Sequence, residues 1–125
     1  MDSEEAKKLM ENFIKKAETA ERALAYKEAQ REFEKALYLA TGFNFELDIG
    51  RISFMVLELD KKIKTIEIEF ALEAGEKAEK KKDYINAIQH FQQAIHFLSD
   101  NGINTGNENK IKKLEKRISY LQNQL

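Results

Sequence analysis

A chain of 125 residues and 14.5 kDa, 42% hydrophobic and 34% charged, can bury a modest core but is too short for a large two-domain enzyme. Twenty-one Lys and Arg against 22 Asp and Glu leave a net charge of −1, which excludes a global basic field for nucleic acid and a strongly acidic tail. The absence of cysteine excludes disulfides, thiolate catalysis and zinc sites of the cysteine type, and the absence of proline lets long helices run unbroken.

The opening Met1-Asp2-Ser3-Glu4-Glu5 is acidic where a secretory leader would be basic and then apolar. No run approaches the roughly 20 apolar residues of a membrane helix, so a cytoplasmic chain with no membrane span is expected. Ser3 reads as the N-cap of a first helix that reaches about Arg22, with Leu9, Phe13, Ala17, Ala20 and Leu24 at spacings of three and four. A second helix begins near Tyr26, continues through Ala29, Phe33, Ala36, Leu37 and Ala40, and meets Gly42 where a C-terminal cap would sit. Together they form a helical hairpin over 3–41.

Ile52, Val56, Leu59, Ile63, Ile66, Phe70 and Ala74 then repeat at helical spacing with no breaker, which predicts one long helix over about 48–82. Thr65 to Phe70 alternates as a strand would, but its neighbours on both sides outvote that reading. Asp83 reads as the cap of a fourth helix over 84–98, which carries Tyr84, Ala87, Ile88, Phe91, Ala94, Ile95 and Leu98 and completes a second hairpin. After an Asn/Gly loop, Thr105 and Glu108 have the spacing of a capping box, and a last helix over 106–125 carries Ile111, Leu114, Ile118, Leu121 and Leu125. The expected fold class is therefore all-α, a single domain of about five helices: two hairpins, a long joining helix and a C-terminal capping helix.

Placing Tyr26 on Tyr84, an offset of 58 residues, superposes Ala17 on Gly75, Ala20 on Ala78, Ala29 on Ala87, Phe33 on Phe91 and Ala36 on Ala94, and sets Phe13 on Ala71. Small residues at these positions allow two antiparallel helices to approach closely while an aromatic fills the space beside them. This pattern resembles the tetratricopeptide repeat, well over about 68–98 and as a degenerate copy over about 10–41. The first hairpin is also similar to microtubule-interacting-and-transport domains, which share an Ala-spaced three-helix pattern. The chain departs from the tetratricopeptide family in its 58-residue offset against the usual 34, in Ser99 where a proline is usual, and in having only two units. The missing turn implies that the helix after the first hairpin and the helix opening the second have fused into one rod.

Catalysis has little to stand on. His90 and His96 are six residues apart and cannot share a metal as an i, i+4 pair can, Tyr26 and Tyr84 sit where the repeat places a packing aromatic, and no phosphate loop, nucleophile elbow or paired-carboxylate motif occurs. No enzyme activity, metal or cofactor is expected. Lys80–Lys82 and the basic face of Lys110, Lys112, Lys113, Lys116 and Arg117 read as solvated helix surface, and nucleic acid is disfavoured because stacking aromatics are not interleaved there.

The resemblance implies that Glu11, Ile14, Glu18 and Glu21, and equally Glu69, Leu72, Glu76 and Glu79, face a ligand groove. Such a groove would hold a basic amphipathic segment of another protein over Ile14 and Leu72 as its apolar floor. The alternative for the glutamates is an ordinary exposed helix face. Leu72 and Glu76 stand where some relatives place polar donors for a terminal carboxylate, so chaperone tails are not expected ligands. Phe43, Phe45, Leu47, Ile49, Phe54 and Leu57 form surplus apolar surface. This motivates a second reading, a homo-oligomer assembled through the long helix or the last one, against a monomer whose last helix caps the second hairpin.

Overall fold

Apolar side chains at spacings of three and four, in a chain without proline, produce helices end to end. The computed structural model describes residues 1–99 and 106–125, and among these residues there are five α-helices and no strand. They are α1 (Ser3–Arg22), α2 (Tyr26–Gly42), α3 (Glu46–Lys80), α4 (Tyr84–Ser99) and α5 (Glu108–Gln122). The ambiguous stretch Thr65–Phe70 lies inside α3, so the flanking helical period prevails over the local alternation.

Several predicted boundaries move for identifiable reasons. The N-cap of α1 is Asp2 rather than Ser3: Asp2 has extended backbone, and its Oδ1 accepts from the Glu5 amide at 2.8 Å. Gly42 is the last helical residue of α2, and the left-handed position after it is taken by Asn44 at φ 57°. The long helix starts and stops about two residues earlier than expected, because Lys81 and Lys82 belong to the turn that closes it. Asp83 caps α4 as predicted, its Oδ1 accepting from the Asn86 amide at 3.4 Å. Thr105 of the expected capping box lies outside the described residues. Asn107 precedes α5 and its Nδ2 instead donates to the Leu98 carbonyl at 3.3 Å, which satisfies an end group of α4.

Three turns share one geometry. The Ala25 amide donates to Ala20 O and that of Leu24 to Glu21 O, the Phe45 amide to Ala40 O and that of Asn44 to Thr41 O, and the Asp83 amide to Ala78 O and that of Lys82 to Glu79 O. These are the paired bonds of the Schellman motif, and each places one residue at positive φ: Leu24, Asn44 and Lys82. The first and third turns are 58 residues apart, so the repeat extends to backbone hydrogen bonds.

The packing divides the chain into two units, Met1–Ile63 and Lys64–Leu125, with the division inside α3. In the first, Met10, Ile14 and Ala17 of α1, Phe33 and Ala36 of α2, and Ile52 and Leu59 of α3 form one buried cluster. Alanines at Ala17, Ala20, Ala29, Ala36 and Ala40 let α1 and α2 approach closely, and Gln30 Nε2 donates to the Val56 carbonyl at 3.4 Å, which ties α2 to α3. In the second, Ala87, Ile88 and Phe91 of α4 and Ile118 and Leu121 of α5 form the buried cluster, and Leu72 and Ala78 of α3 pack against it. The predicted fusion is therefore present: one end of α3 completes the first core and the other end enters the second. No polar or charged residue is fully buried among the described residues.

Candidate partner-binding surface

The eight residues expected to face a groove separate into three groups. Ile14 is not surface: at 3% exposure it belongs to the first core, beneath α3, and cannot serve as the floor of an open groove. Glu11, Glu21 and Glu79 are engaged by basic side chains from a neighbouring helix of the same unit. Arg51 of α3 lies 3.8 Å from Glu11 and 3.1 Å from Asp48, and Lys62 Nζ donates to Glu21 Oε2 at 3.1 Å. In the second unit Arg117 of α5 forms a two-pronged pair with Glu79 through Nε and Nη2. Glu18, Glu69 and Glu76 remain exposed, and Leu72 is half-buried against the second core.

The two units repeat this arrangement. Glu21 and Glu79 are 58 residues apart, each sits in the last turn of the first hairpin helix, and each is bridged from the helix that covers the hairpin. The covering helix of the first unit is the N-terminal part of α3, and that of the second is α5. The basic amphipathic segment expected as a foreign ligand is thus partly supplied by the chain itself. These pairs are solvent-accessible and therefore screened, so they orient helices more than they hold them.

Glu18, Glu21, Arg22, Tyr26 and Lys62 line a shallow hollow at the end of the first hairpin. The Lys62 ammonium stands 5.6 Å from the centroid of the Tyr26 ring, a cation–π distance. The Glu21 carboxylate holds the Lys62 pKa above the ordinary lysine value, first by its hydrogen bond and then by its charge. Since folding favours protonated Lys62, the contribution of this contact is complete at neutral pH and fades only as pH rises through that raised value.

His90 is half-buried and His96 exposed, with the His96 and Phe97 ring centroids 6.2 Å apart. Among the described residues no group of three or more His, Cys, Asp or Glu side chains is placed to hold a metal ion, and no helix is long and apolar enough to cross a membrane.

Sequence reasoning missed the three cations that occupy the acidic positions. Arginine is scarce, with four in the chain, and two of them, Arg51 and Arg117, reach these glutamates; that scarcity is the only signal in the residues themselves. The glycine at Gly50 also went unremarked, although it lies in the second turn of α3 on the exposed side with Leu47, Phe54 and Leu57. No protein-family model, curated protein or solved structure matches this chain.

Proposed function

We propose that the protein is a non-catalytic interaction module built from two tetratricopeptide-like hairpins, which holds a basic amphipathic segment of a partner protein. The observation that carries this reading is the matched pair Glu18 and Glu76, 58 residues apart, both exposed on the first helix of their hairpin. The chemistry has an internal precedent, since neighbouring acids of the same helices already accept Arg51, Lys62 and Arg117. Glu18 in the first unit, and separately Glu69 and Glu76 in the second, would each steer a basic segment onto their own hairpin, and in the second unit Leu72 offers a partly apolar contact beside them. A ligand reaching further, toward Glu11, Glu21 or Glu79, competes with the chain's own cations.

The test is binding of a fluorescein-labelled amphipathic helical peptide of leucine and lysine, followed by anisotropy. The expected result is saturable binding that weakens with salt and falls at least ~10-fold, or about 1.4 kcal/mol, when Glu18→Lys and Glu76→Lys are combined. A peptide of the same pattern with glutamate in place of lysine should not bind. Equal affinity of the reversed variant and the parent protein for the lysine peptide would refute the reading.

A further inference from the structure

Two basic runs that are far apart in the sequence, Lys80-Lys81-Lys82 and Lys110 to Arg117, belong to the same unit. The first spans the end of α3 and the turn after it, and the second lies on α5. Two contacts bring them together. Arg117 pairs with Glu79, the residue before Lys80, and Ile118 and Leu121 sit in the cluster that Tyr84, the first residue of α4, packs against. The last turns of α5 therefore lie beside the turn that carries the three lysines.

The charge at this end is one-sided. Over residues 79–83 and 113–120, Lys80, Lys81, Lys82, Lys113, Lys116 and Arg117 stand against three acids, Glu79, Asp83 and Glu115. Two of these acids are already engaged, Glu79 by Arg117 and Asp83 by Asn86, whose Nδ2 donates to its Oδ2 at 2.6 Å. The five lysines are exposed, and among the described residues none has a carboxylate at ion-pair distance, whereas Lys77 is paired with Glu73 one turn earlier. Like charges held together repel, and a complementary anionic surface relieves that repulsion.

The same end also exposes apolar atoms. Ile85 in the first turn of α4 and Tyr120 in the last turn of α5 are 59% and 55% exposed, and the Arg117 guanidinium stands 5.6 Å from the centroid of the Tyr120 ring. An aliphatic side chain and an aromatic with a polar tip, set among lysines on long flexible stems, suit the boundary between lipid headgroups and acyl chains. A nucleic-acid strand needs successive stacking platforms, and among the described residues Tyr120 is the only exposed aromatic at this end. An acidic peptide would meet the charge alone; the two apolar tips favour a bilayer.

We propose that this end of the second unit docks peripherally on an anionic phospholipid bilayer, with the lysines of the α3–α4 turn and of α5 on the headgroups and Ile85 and Tyr120 at the headgroup boundary. The inference is independent of the partner-binding reading, since no step of it uses Glu18, Glu69 or Glu76.

Cosedimentation of the full chain with sucrose-loaded vesicles, of phosphatidylcholine alone or with about 30% phosphatidylserine, reads the docking. The expected result is binding to the anionic vesicles only, lost as salt is raised from about 0.1 to about 0.5 M. Lys80→Glu combined with Lys81→Glu should weaken binding at least ~10-fold. Lys7→Glu combined with Lys8→Glu makes the same change of net charge on α1, outside this surface, and should weaken it by less than ~3-fold. Ile85→Ser combined with Tyr120→Ser, which leaves the charge unchanged, should weaken it at least ~3-fold, with the circular dichroism of the helices retained in every variant. No binding, equal binding to phosphatidylcholine alone, or unchanged affinity in either the Lys80 and Lys81 or the Ile85 and Tyr120 variant overturns the proposal. Tighter retention by polyuridylate or polyglutamate than by the vesicles at the same salt also overturns it, by naming a different occupant.

Discussion

Leu24 and Lys82 hold the left-handed backbone conformation that Asn44 adopts with less strain, at φ 62° and 61°. A branched or long side chain there costs about 1–2 kcal/mol relative to glycine, partly offset by the greater chain entropy that glycine loses on folding. Leu24 is exposed, so Leu24→Gly removes little packing. Leu24→Gly and Lys82→Gly should each raise stability by ~0.5–1 kcal/mol, read as a higher denaturant midpoint with an unchanged slope. Gly75 behaves in the opposite way. A methyl group there would stand 2.6 Å from the Phe91 ring, which is 3% exposed, so the ring must shift within the core to admit it. Gly75→Ala should therefore lower stability by about 1–3 kcal/mol even though alanine is the better helix former by ~1 kcal/mol, and Phe91→Leu in the same background should recover part of the loss. The turn residues were illegible beforehand because no propensity marks Leu24 or Lys82 as left-handed; only the hydrogen bonds closing each turn force them there. Gly75 was legible, because its place in the repeat called for a small residue.

At the scale of elements, α5 occupies the place in the second unit that the N-terminal part of α3 occupies in the first. Its predicted role as a cap is met by Ile118 and Leu121, which are buried against Ala87, Ile88 and Phe91. Leu121→Ala removes a fully buried side chain and should cost ~2–5 kcal/mol, with amide exchange rising in α4 and α5 before it rises in α1 and α2. Arg117→Ala, by contrast, deletes one half of a partly exposed ion pair and should cost no more than about 1 kcal/mol. The contrast separates burial from charge as the cause of α5 docking. Helix existence and order could be read from periodicity alone. The open groove could not, because the period of α3 tells that one face is buried but not that this face lies over Ile14 and brings Arg51 and Lys62 onto Glu11 and Glu21.

For the molecule as a whole, the account rests on one helix serving two three-helix units. The duplication at 58 residues was visible in Ala29 with Ala87, Phe33 with Phe91 and Ala36 with Ala94, and all six of these side chains are buried. The surplus of apolar residues around Phe54 and Leu57 was visible too, but not its meaning, since two apolar stripes on one helix look alike until a core claims one of them. The weakest stretch of the pattern is Thr65–Phe70, where polar and apolar residues alternate and Phe70 is exposed. Backbone chemical shifts through α3 test the account there most directly. Helical Cα and carbonyl shifts should run without interruption from Glu46 to Lys80, with sequential amide contacts across Ile63 and Lys64. Strand-like shifts over Thr65–Phe70, or a break in the helical contacts between Leu59 and Ala71, would contradict it.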